Sequence, residues 1–186
     1  MGIPTARGVD HVGYTVPDLA QAVDFFTQVL GGQIVFYAGP FEDRDGNWMT
    51  TNLEVDRNAS LRFAMVRLGA DTNVELFQYE VDHQPTLPAK NSDVSGRHIA
   101  IYVDDLDAAV SYLRGVDGVT VLGEPTLNVA PSPNAGSTFV YFRSPWGMYF
   151  ELFSAPDGMA YESLTTARLK PTPAGWTNTA GMPASD

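Results

Sequence analysis

Two histidines and two glutamates stand at corresponding places in two similar stretches of the chain. His11 and His98 each lie in a β-rich stretch, and Glu75 and Glu151 each begin a Glu-Leu-Phe segment. Imidazole and carboxylate together suit a borderline divalent cation such as Zn, Ni, Co, Mn or Fe(II). Any one of these residues alone would more often be a hydrogen-bonded structural residue. Because the pair occurs twice at equivalent positions, we expect all four to bind one divalent metal ion.

An internal repeat positions these residues. Residues 9–35 align with residues 96–122, and this alignment places His11 on His98. Each copy begins with a predicted strand, which is followed by an Asp-Leu pair and by apolar residues at helical spacing. The later predicted strands are residues 33–41, 60–68 and 73–77 in the first copy, and 120–129, 138–143 and 149–153 in the second. Each copy therefore has the order β-α-β-β-β.

This order predicts an α+β fold with two pseudo-symmetric β-α-β-β-β modules that form a cleft around one metal site. One helix can cover only one face of each sheet, so the opposite faces are left to line the cleft. The predicted domains are a first module in residues 1–81, a linker in 82–95, a second module in 96–156 and a C-terminal arm in 157–186. We expect the arm to be mostly irregular, with a short helix near residues 161–169. Residues 41–58 are expected to form a long surface loop.

Composition excludes several classes of function. The chain of 186 residues carries a net charge of −11, which disfavours nucleic acid as a partner. It has no cysteine, so thiol catalysis, disulfides and zinc–cysteine sites are excluded. No apolar run is long enough to span a membrane, and we expect no membrane partner. Because the N-terminal segment lacks an apolar signal core, a cytoplasmic location is expected.

The residues around the four candidate ligands resemble the vicinal oxygen chelate superfamily, which includes glyoxalases, bleomycin resistance proteins and extradiol dioxygenases. The resembling stretches are DHVGYTVPDL (10–19), VELF (74–77), RHIAIYVDDL (97–106) and YFRSPWGMYFEL (141–152). The resemblance covers about residues 8–156. It implies paired modules around one metal ion, with the four residues as ligands on the first and last strand of each module. It also implies a homodimer, because such proteins often pair modules between chains.

The resemblance implies three kinds of activity. The leading one is a glyoxalase- or epimerase-like isomerase or lyase reaction on a small oxygenated substrate, by proton transfer through a metal-stabilised enolate. In that reaction Glu75 or Glu151 is the base, and the sequence does not separate them. The first alternative is an Fe(II) extradiol dioxygenase that uses His11, His98 and Glu151 and leaves Glu75 surplus. The second is a metal-free binding or resistance protein.

Two further residues bear on these alternatives. Tyr141 resembles a tyrosine of the extradiol enzymes and is a candidate catalytic residue. His83 is a weaker candidate acid–base group, which we interpret as a solvated loop histidine. Aromatic residues that share strand parity with the ligands, or lie in neighbouring elements, are expected to line a pocket for a moderately apolar substrate. These pocket residues are Trp48, Phe77, Tyr102, Tyr149 and Phe153.

Overall fold

The structure is a computed structural model, and it describes residues 3–169 and the strands Thr177–Thr179 and Met182–Pro183. The chain divides into two units: the first runs to Thr86 and also includes the strands Thr177–Thr179 and Met182–Pro183, and the second begins at Leu87. No helix among the described residues has the length and apolar character needed to cross a membrane.

The first unit is built on a four-stranded mixed sheet. Its elements are β1 (Val12–Thr15), helix α1 (Leu19–Asp24) continued by a π-helical turn (Phe25–Val29), β2 (Gln33–Phe41), α2 (Trp48–Leu53), β3 (Ser60–Leu68) and β4 (Thr72–Glu80). The strand order is β1-β4-β3-β2. Strands β1 and β4 are parallel, and the other neighbours are antiparallel.

The second unit repeats this topology. Its elements are β5 (His98–Tyr102), α3 (Leu106–Arg114), β6 (Thr120–Leu127), β7 (Thr138–Arg143) and β8 (Tyr149–Ser154), followed by a 3-10 turn at Ala160–Ser163. The strand order is β5-β8-β7-β6, again with one parallel pair at the β5 edge. The predicted α+β fold of two β-α-β-β-β modules is therefore confirmed. Two short strands, β9 (Thr177–Thr179) and β10 (Met182–Pro183), pair antiparallel in the C-terminal segment.

Each sheet buries one face against its helix and turns the other face away. On β8 the buried residues Phe150 and Leu152 alternate with Tyr149, Glu151 and Phe153, which are only partly buried. The same alternation in β4 separates buried Val74 and Leu76 from Glu75 and Phe77. We call the second face of each sheet, the one that carries Glu75 or Glu151, its glutamate face. Alternation in the strands thus directs both carboxylates away from α1 and α3.

The two main helices begin at capped positions. The Asp18 carboxylate accepts a hydrogen bond from Gln21 N at 2.8 Å, and the Asp105 carboxylate accepts one from Ala108 N at 2.9 Å. Each cap satisfies a backbone N–H that has no partner within the helix. The Asp-Leu pair of the repeat therefore fixes where each strand turns into its helix.

Replacing Asp105 by Ala is expected to lower the free energy of unfolding by about 1 kcal/mol, because α3 loses its cap. Urea denaturation followed by circular dichroism measures the change. Asp104→Ala removes the same charge from the neighbouring exposed position and leaves the cap intact. An equal loss of stability in the two variants would contradict the capping role.

The loop predicted over residues 41–58 contains helix α2. The Asp43 carboxylate accepts hydrogen bonds from Gly46 N and Trp48 N, and these bonds turn the chain into the helix. Met49 is buried against Ala59 and Leu61, so the helix packs onto the glutamate face of the first sheet. Because α2 has six residues, it is too short to show a helical period, and the prediction of a surface loop over residues 41–58 missed it.

Three smaller predictions also differ from the structure. His11 was expected on the first strand of its module, whereas β1 begins at Val12 and His11 immediately precedes it. The helix expected near residues 161–169 is a single 3-10 turn at Ala160–Ser163. The strand expected over residues 120–129 ends at Leu127. Residues 170–176, 180–181 and 184–186 of the predicted arm lie outside the described residues.

Candidate functional site

His11 and Glu75 form a close pair at one edge of the first sheet. His11 Nε2 lies 3.1 Å from Glu75 Oε2. His11 Nδ1 lies 2.8 Å from the Asp10 carboxylate. When Nδ1 carries the ring proton and donates it to Asp10, Nε2 is left with a free lone pair directed at Glu75. This tautomer is the one that a histidine needs to ligate a metal through Nε2.

The parallel pairing of β1 with β4 brings this pair together. Gly13 is the register partner of Glu75, and His11 lies two residues before Gly13 on the same side of the chain. A side chain at Gly13 would begin 3.1 Å from the Phe77 ring. The glycine therefore leaves room for the aromatic ring beside the carboxylate.

His98 and Glu151 form the equivalent pair in the second sheet. His98 Nε2 lies 3.0 Å from Glu151 Oε2, and the register of β5 with β8 places Ala100 opposite Glu151. Tyr141 lies beside this pair, because it is the register partner of Glu151 on β7 and its ring makes an edge-to-face contact with His98 at a centroid distance of 5.1 Å. The side chains of both glutamates are only 14% exposed, so each carboxylate is largely removed from bulk solvent.

The two pairs differ in the residue that faces the glutamate from the next strand. Met65 on β3 is the register partner of Glu75, whereas Tyr141 on β7 is the register partner of Glu151. A thioether offers no hydrogen to a carboxylate, and a phenol does. The two modules therefore share the histidine and the glutamate, but they differ in the side chain that faces the glutamate from the next strand.

The electrostatic surroundings keep protons on specific groups. The hydrogen bond to Asp10 raises the pKa of His11, and the charge of Glu75 also raises it, although burial acts in the opposite direction. Burial raises the pKa of the Tyr141 phenol, and the charge of Glu151 and the hydrogen bond to it raise it further. Burial also raises the pKa of Tyr79, with a smaller effect from the charge of Glu75. Both phenols are therefore protonated at neutral pH.

The spacing of each pair fits two ligands of one cation. Nitrogen and oxygen ligands bind such ions at about 2.0–2.2 Å, so two adjacent ligand atoms are separated by about 3.0–3.5 Å. The observed separations are 3.1 Å for His11–Glu75 and 3.0 Å for His98–Glu151. Within the part of the chain that the structure describes, no three or more His, Asp or Glu side chains are arranged to hold a metal ion together. Each module therefore holds one pair of candidate metal ligands, a histidine and a glutamate.

The predicted pocket residues lie in three settings. Phe77 lies on the glutamate face of the first sheet and also packs against the cluster of Met49 and Leu61 under α2. Tyr149 and Phe153 share the glutamate face of the second sheet, and Tyr102 is the register partner of Phe153. Trp48 opens α2 and is 49% exposed. His83 lies in a turn after β4, as the loop interpretation expected.

Several aromatic residues on these faces were not predicted from the sequence. In the first sheet, rings contact one another at centroid distances of 5.7–6.0 Å from Phe36 and Phe41 through Phe63 to Phe77. In the second sheet, Phe139 contacts Tyr141 at 5.9 Å. Strand parity carried across to the neighbouring strands would have found Phe63 and Phe139, because they are the register partners of Phe77 and Phe153.

The chain matches a known protein family. Residues 8–152 match the model of the Glyoxalase/Bleomycin resistance protein/Dioxygenase superfamily. The chain belongs to this superfamily. It is also 47% identical over 180 residues, covering 97% of both chains, to a 2-epi-5-epi-valiolone epimerase from an Actinomyces species. The predicted resemblance is therefore confirmed.

Solved structures of the superfamily share the fold. A glyoxalase family protein from Bacillus cereus aligns with a TM-score of 0.61 at 18% identity, covering 82% of this chain and 98% of that chain. The fosfomycin resistance protein FosX from Listeria monocytogenes, solved in complex with Mn(II) and a sulfate ion, aligns with a TM-score of 0.50 at 16% identity. That alignment covers 87% of this chain and 100% of FosX.

The relatives also bear on activity. The relative that is 47% identical over nearly the whole chain is an epimerase, and epimerases are isomerases. The prediction of an enzyme is therefore confirmed, and this superfamily member is of the isomerase or epimerase type. The cytoplasmic location and the homodimer stay predictions.

Proposed function

We propose that this chain is a metal-dependent epimerase that inverts a carbon next to the carbonyl of a small polyhydroxylated ketone. The observation that carries the proposal is the 47% identity, over nearly the full length of both chains, to a 2-epi-5-epi-valiolone epimerase. The two His–Glu pairs at equivalent positions support it, because they supply both a metal-ligand set and two carboxylates. The first substrate to test is 2-epi-5-epi-valiolone, a hydroxylated cyclic ketone.

The proposed metal ligands are His11, Glu75, His98 and Glu151. A single pair is an incomplete site, because catalytic cations of this kind usually take three or more protein ligands. One ion that took both pairs would have four, all of them nitrogen and carboxylate donors. When bound, the ion would act as a Lewis acid that polarises neighbouring oxygens of the substrate. Asp10 would orient His11 for this role through its bond to Nδ1.

The chain's own carboxylates would move the proton. Epimerisation removes a proton from a carbon beside the carbonyl and returns one to the opposite face of the planar enolate. The register partner of Glu151 is Tyr141, whose phenol can donate a hydrogen bond to a carboxylate, whereas the partner of Glu75 is Met65, whose thioether cannot. We therefore assign Glu75 as the group that accepts the proton. Glu151, oriented by Tyr141, is assigned to the opposite face.

Incubation with 2-epi-5-epi-valiolone in D2O tests the function. We expect the metal-loaded protein to form the epimer, with one deuterium from solvent at the inverted carbon, and NMR measures both. Absence of both the epimer and deuterium exchange would contradict the proposal. Oxygen uptake with a catechol by the Fe(II) form would instead support the dioxygenase alternative.

Replacing Tyr141 by Phe is expected to lower kcat about tenfold and to leave metal content unchanged. The variant loses the phenol that faces the Glu151 carboxylate and keeps the aromatic ring. Steady-state kinetics of epimer formation measures the effect. Tyr79→Phe is the matched control, since it removes a partly buried phenol near Glu75 and should keep kcat near the wild-type value. Equal kcat in Tyr141→Phe and wild type would contradict the orienting role.

A further inference from the structure

We propose that Arg143 is a substrate-binding residue whose guanidinium donates a hydrogen bond to an acceptor oxygen of the substrate. This inference rests on the proposed function, because it assigns a specificity-determining contact to the same site. Nothing in the repeat of histidines and glutamates predicts it.

Arg143 lies on the glutamate face of the second sheet. It is the last residue of β7, two residues after Tyr141, and its neighbour Phe142 is buried on the helix side. Its register partner on β8 is Tyr149, which is itself the partner of His98 on β5. Arg143 is therefore in the same row of the sheet as His98 and one row from Glu151.

Among the described residues, the guanidinium of Arg143 has a buried donor without an acceptor. Its Nε is buried and has no hydrogen-bond partner. No ion pair to Arg143 is found within the described residues, whereas Arg44, Arg62 and Arg114 each pair with a glutamate. A buried donor attached to a permanent positive charge is costly when it is left without an acceptor. Such a donor on the face of a candidate active site indicates that a ligand supplies the acceptor.

The first module provides an internal reference for this residue. Arg67 on β3 holds the position equivalent to Arg143, two residues after Met65, and pairs with Asn73 on β4. Arg67 donates from Nη1 to the carbonyl of Ala70 at 2.7 Å, within its own hairpin turn. The same residue type at the same place is thus satisfied by the backbone in one module and lacks a partner at Nε in the other.

The chemistry of the ligand follows from the guanidinium. It presents N–H donors in a fixed plane and has no acceptor atom, so it recognises oxygen atoms. A ring hydroxyl of a polyhydroxylated ketone and an anionic oxygen are the two sources of such an acceptor. Both are compatible with a site whose glutamates are already paired with histidines.

Calorimetric binding of 2-epi-5-epi-valiolone to the metal-loaded full chain tests the proposal. We expect Arg143→Gln to raise Kd by about 10- to 100-fold, because one charge-assisted hydrogen bond is lost. Arg143→Lys keeps the charge without the planar donors and should raise Kd by a smaller factor. Arg67→Gln is the matched control and should leave Kd within about twofold of wild type, since its bond is to a turn carbonyl. Metal content and thermal unfolding confirm that each variant is loaded and folded.

A second titration uses sulfate as a probe and distinguishes the two acceptor sources. If sulfate competes with the ketone for the wild type and does not compete in Arg143→Gln, the acceptor is an anionic oxygen. If sulfate does not compete with the ketone, and Arg143→Gln still raises the Kd for the ketone, the acceptor is a hydroxyl. The Kd is measured without turnover, so binding and reaction are tested separately. If the wild-type protein binds the ketone and does not epimerise it, the proposed reaction is refuted and the assignment of Arg143 still holds. The assignment is overturned if both Arg143 variants bind as Arg67→Gln does, or if the wild type binds neither ketone nor sulfate.

Discussion

Replacing Glu75 by Gln is expected to lower kcat for epimerisation by about 10²- to 10⁴-fold, the range that general acid–base groups contribute. Glutamine keeps the size of the side chain and an oxygen that can face a cation, but it cannot accept the substrate proton. Metal content should therefore fall far less than turnover. The measurement pairs steady-state kinetics with metal analysis of the same sample.

The companion variant Glu151→Gln separates the roles of the two glutamates. We expect its deuterium exchange to fall less than that of Glu75→Gln, because Glu75 is assigned the first proton transfer. Glu80→Gln and Glu124→Gln are matched controls in the two modules, since these exposed residues pair with Arg62 and Arg114. Near-wild-type activity in both Glu75→Gln and Glu151→Gln would show that the assigned proton transfer is wrong.

Removal of bound metal is expected to abolish epimerisation, with a loss of at least about 100-fold that added Zn, Ni, Co or Mn restores. Two histidines and two carboxylates form a donor set that these ions bind well. Chelation followed by dialysis and kinetics at a series of added metal concentrations measures this dependence. Full activity in protein shown to be metal-free would contradict it.

Histidine variants localise the metal requirement. His11→Ala and His98→Ala should each lose metal affinity and turnover, because each removes the nitrogen donor from one pair. His83 is the third histidine of the chain and lies in a turn, so His83→Ala is the matched control. Retention of metal and activity in His11→Ala would remove the first module from the site.

The pairing of histidine with glutamate within each module could be predicted, because it depends on features that a sequence displays. The repeat aligns His11 with His98, and strand alternation then directs Glu75 and Glu151 to the face away from the helix. The parallel pairing of the first and last strands of each module then brings the histidine beside the glutamate, and the topology of the family implies this pairing.

Helix α2 and the aromatic face of the first sheet were harder to predict. The helix depends on two hydrogen bonds to Asp43 and on burial of Met49, neither of which produces a periodic pattern. The contact between Phe36 and Phe63 depends on the pairing of β2 with β3, which shifts register after Ile34. A register shift changes which side chains share a face, so parity counted along one strand does not reveal it.

The two modules differ in contacts that cannot be predicted from the residue types alone. Tyr141 and Met65 are at equivalent positions, yet only Tyr141 presents a hydrogen-bond donor to its glutamate. Arg143 and Arg67 are the same residue at equivalent positions, yet Arg67 donates to a turn carbonyl from Nη1, whereas the buried Nε of Arg143 has no partner. Tertiary geometry decides both cases.

The measurement that tests the central claim most directly is epimerisation of 2-epi-5-epi-valiolone in D2O as a function of bound metal. Protein is purified without added metal, its metal content is determined, and samples of graded occupancy are assayed by NMR. We predict an epimer that carries one solvent deuterium at the inverted carbon, formed at a rate proportional to metal occupancy. No epimer and no deuterium at full occupancy, or an undiminished rate in the metal-free protein, would contradict a metal-dependent epimerase.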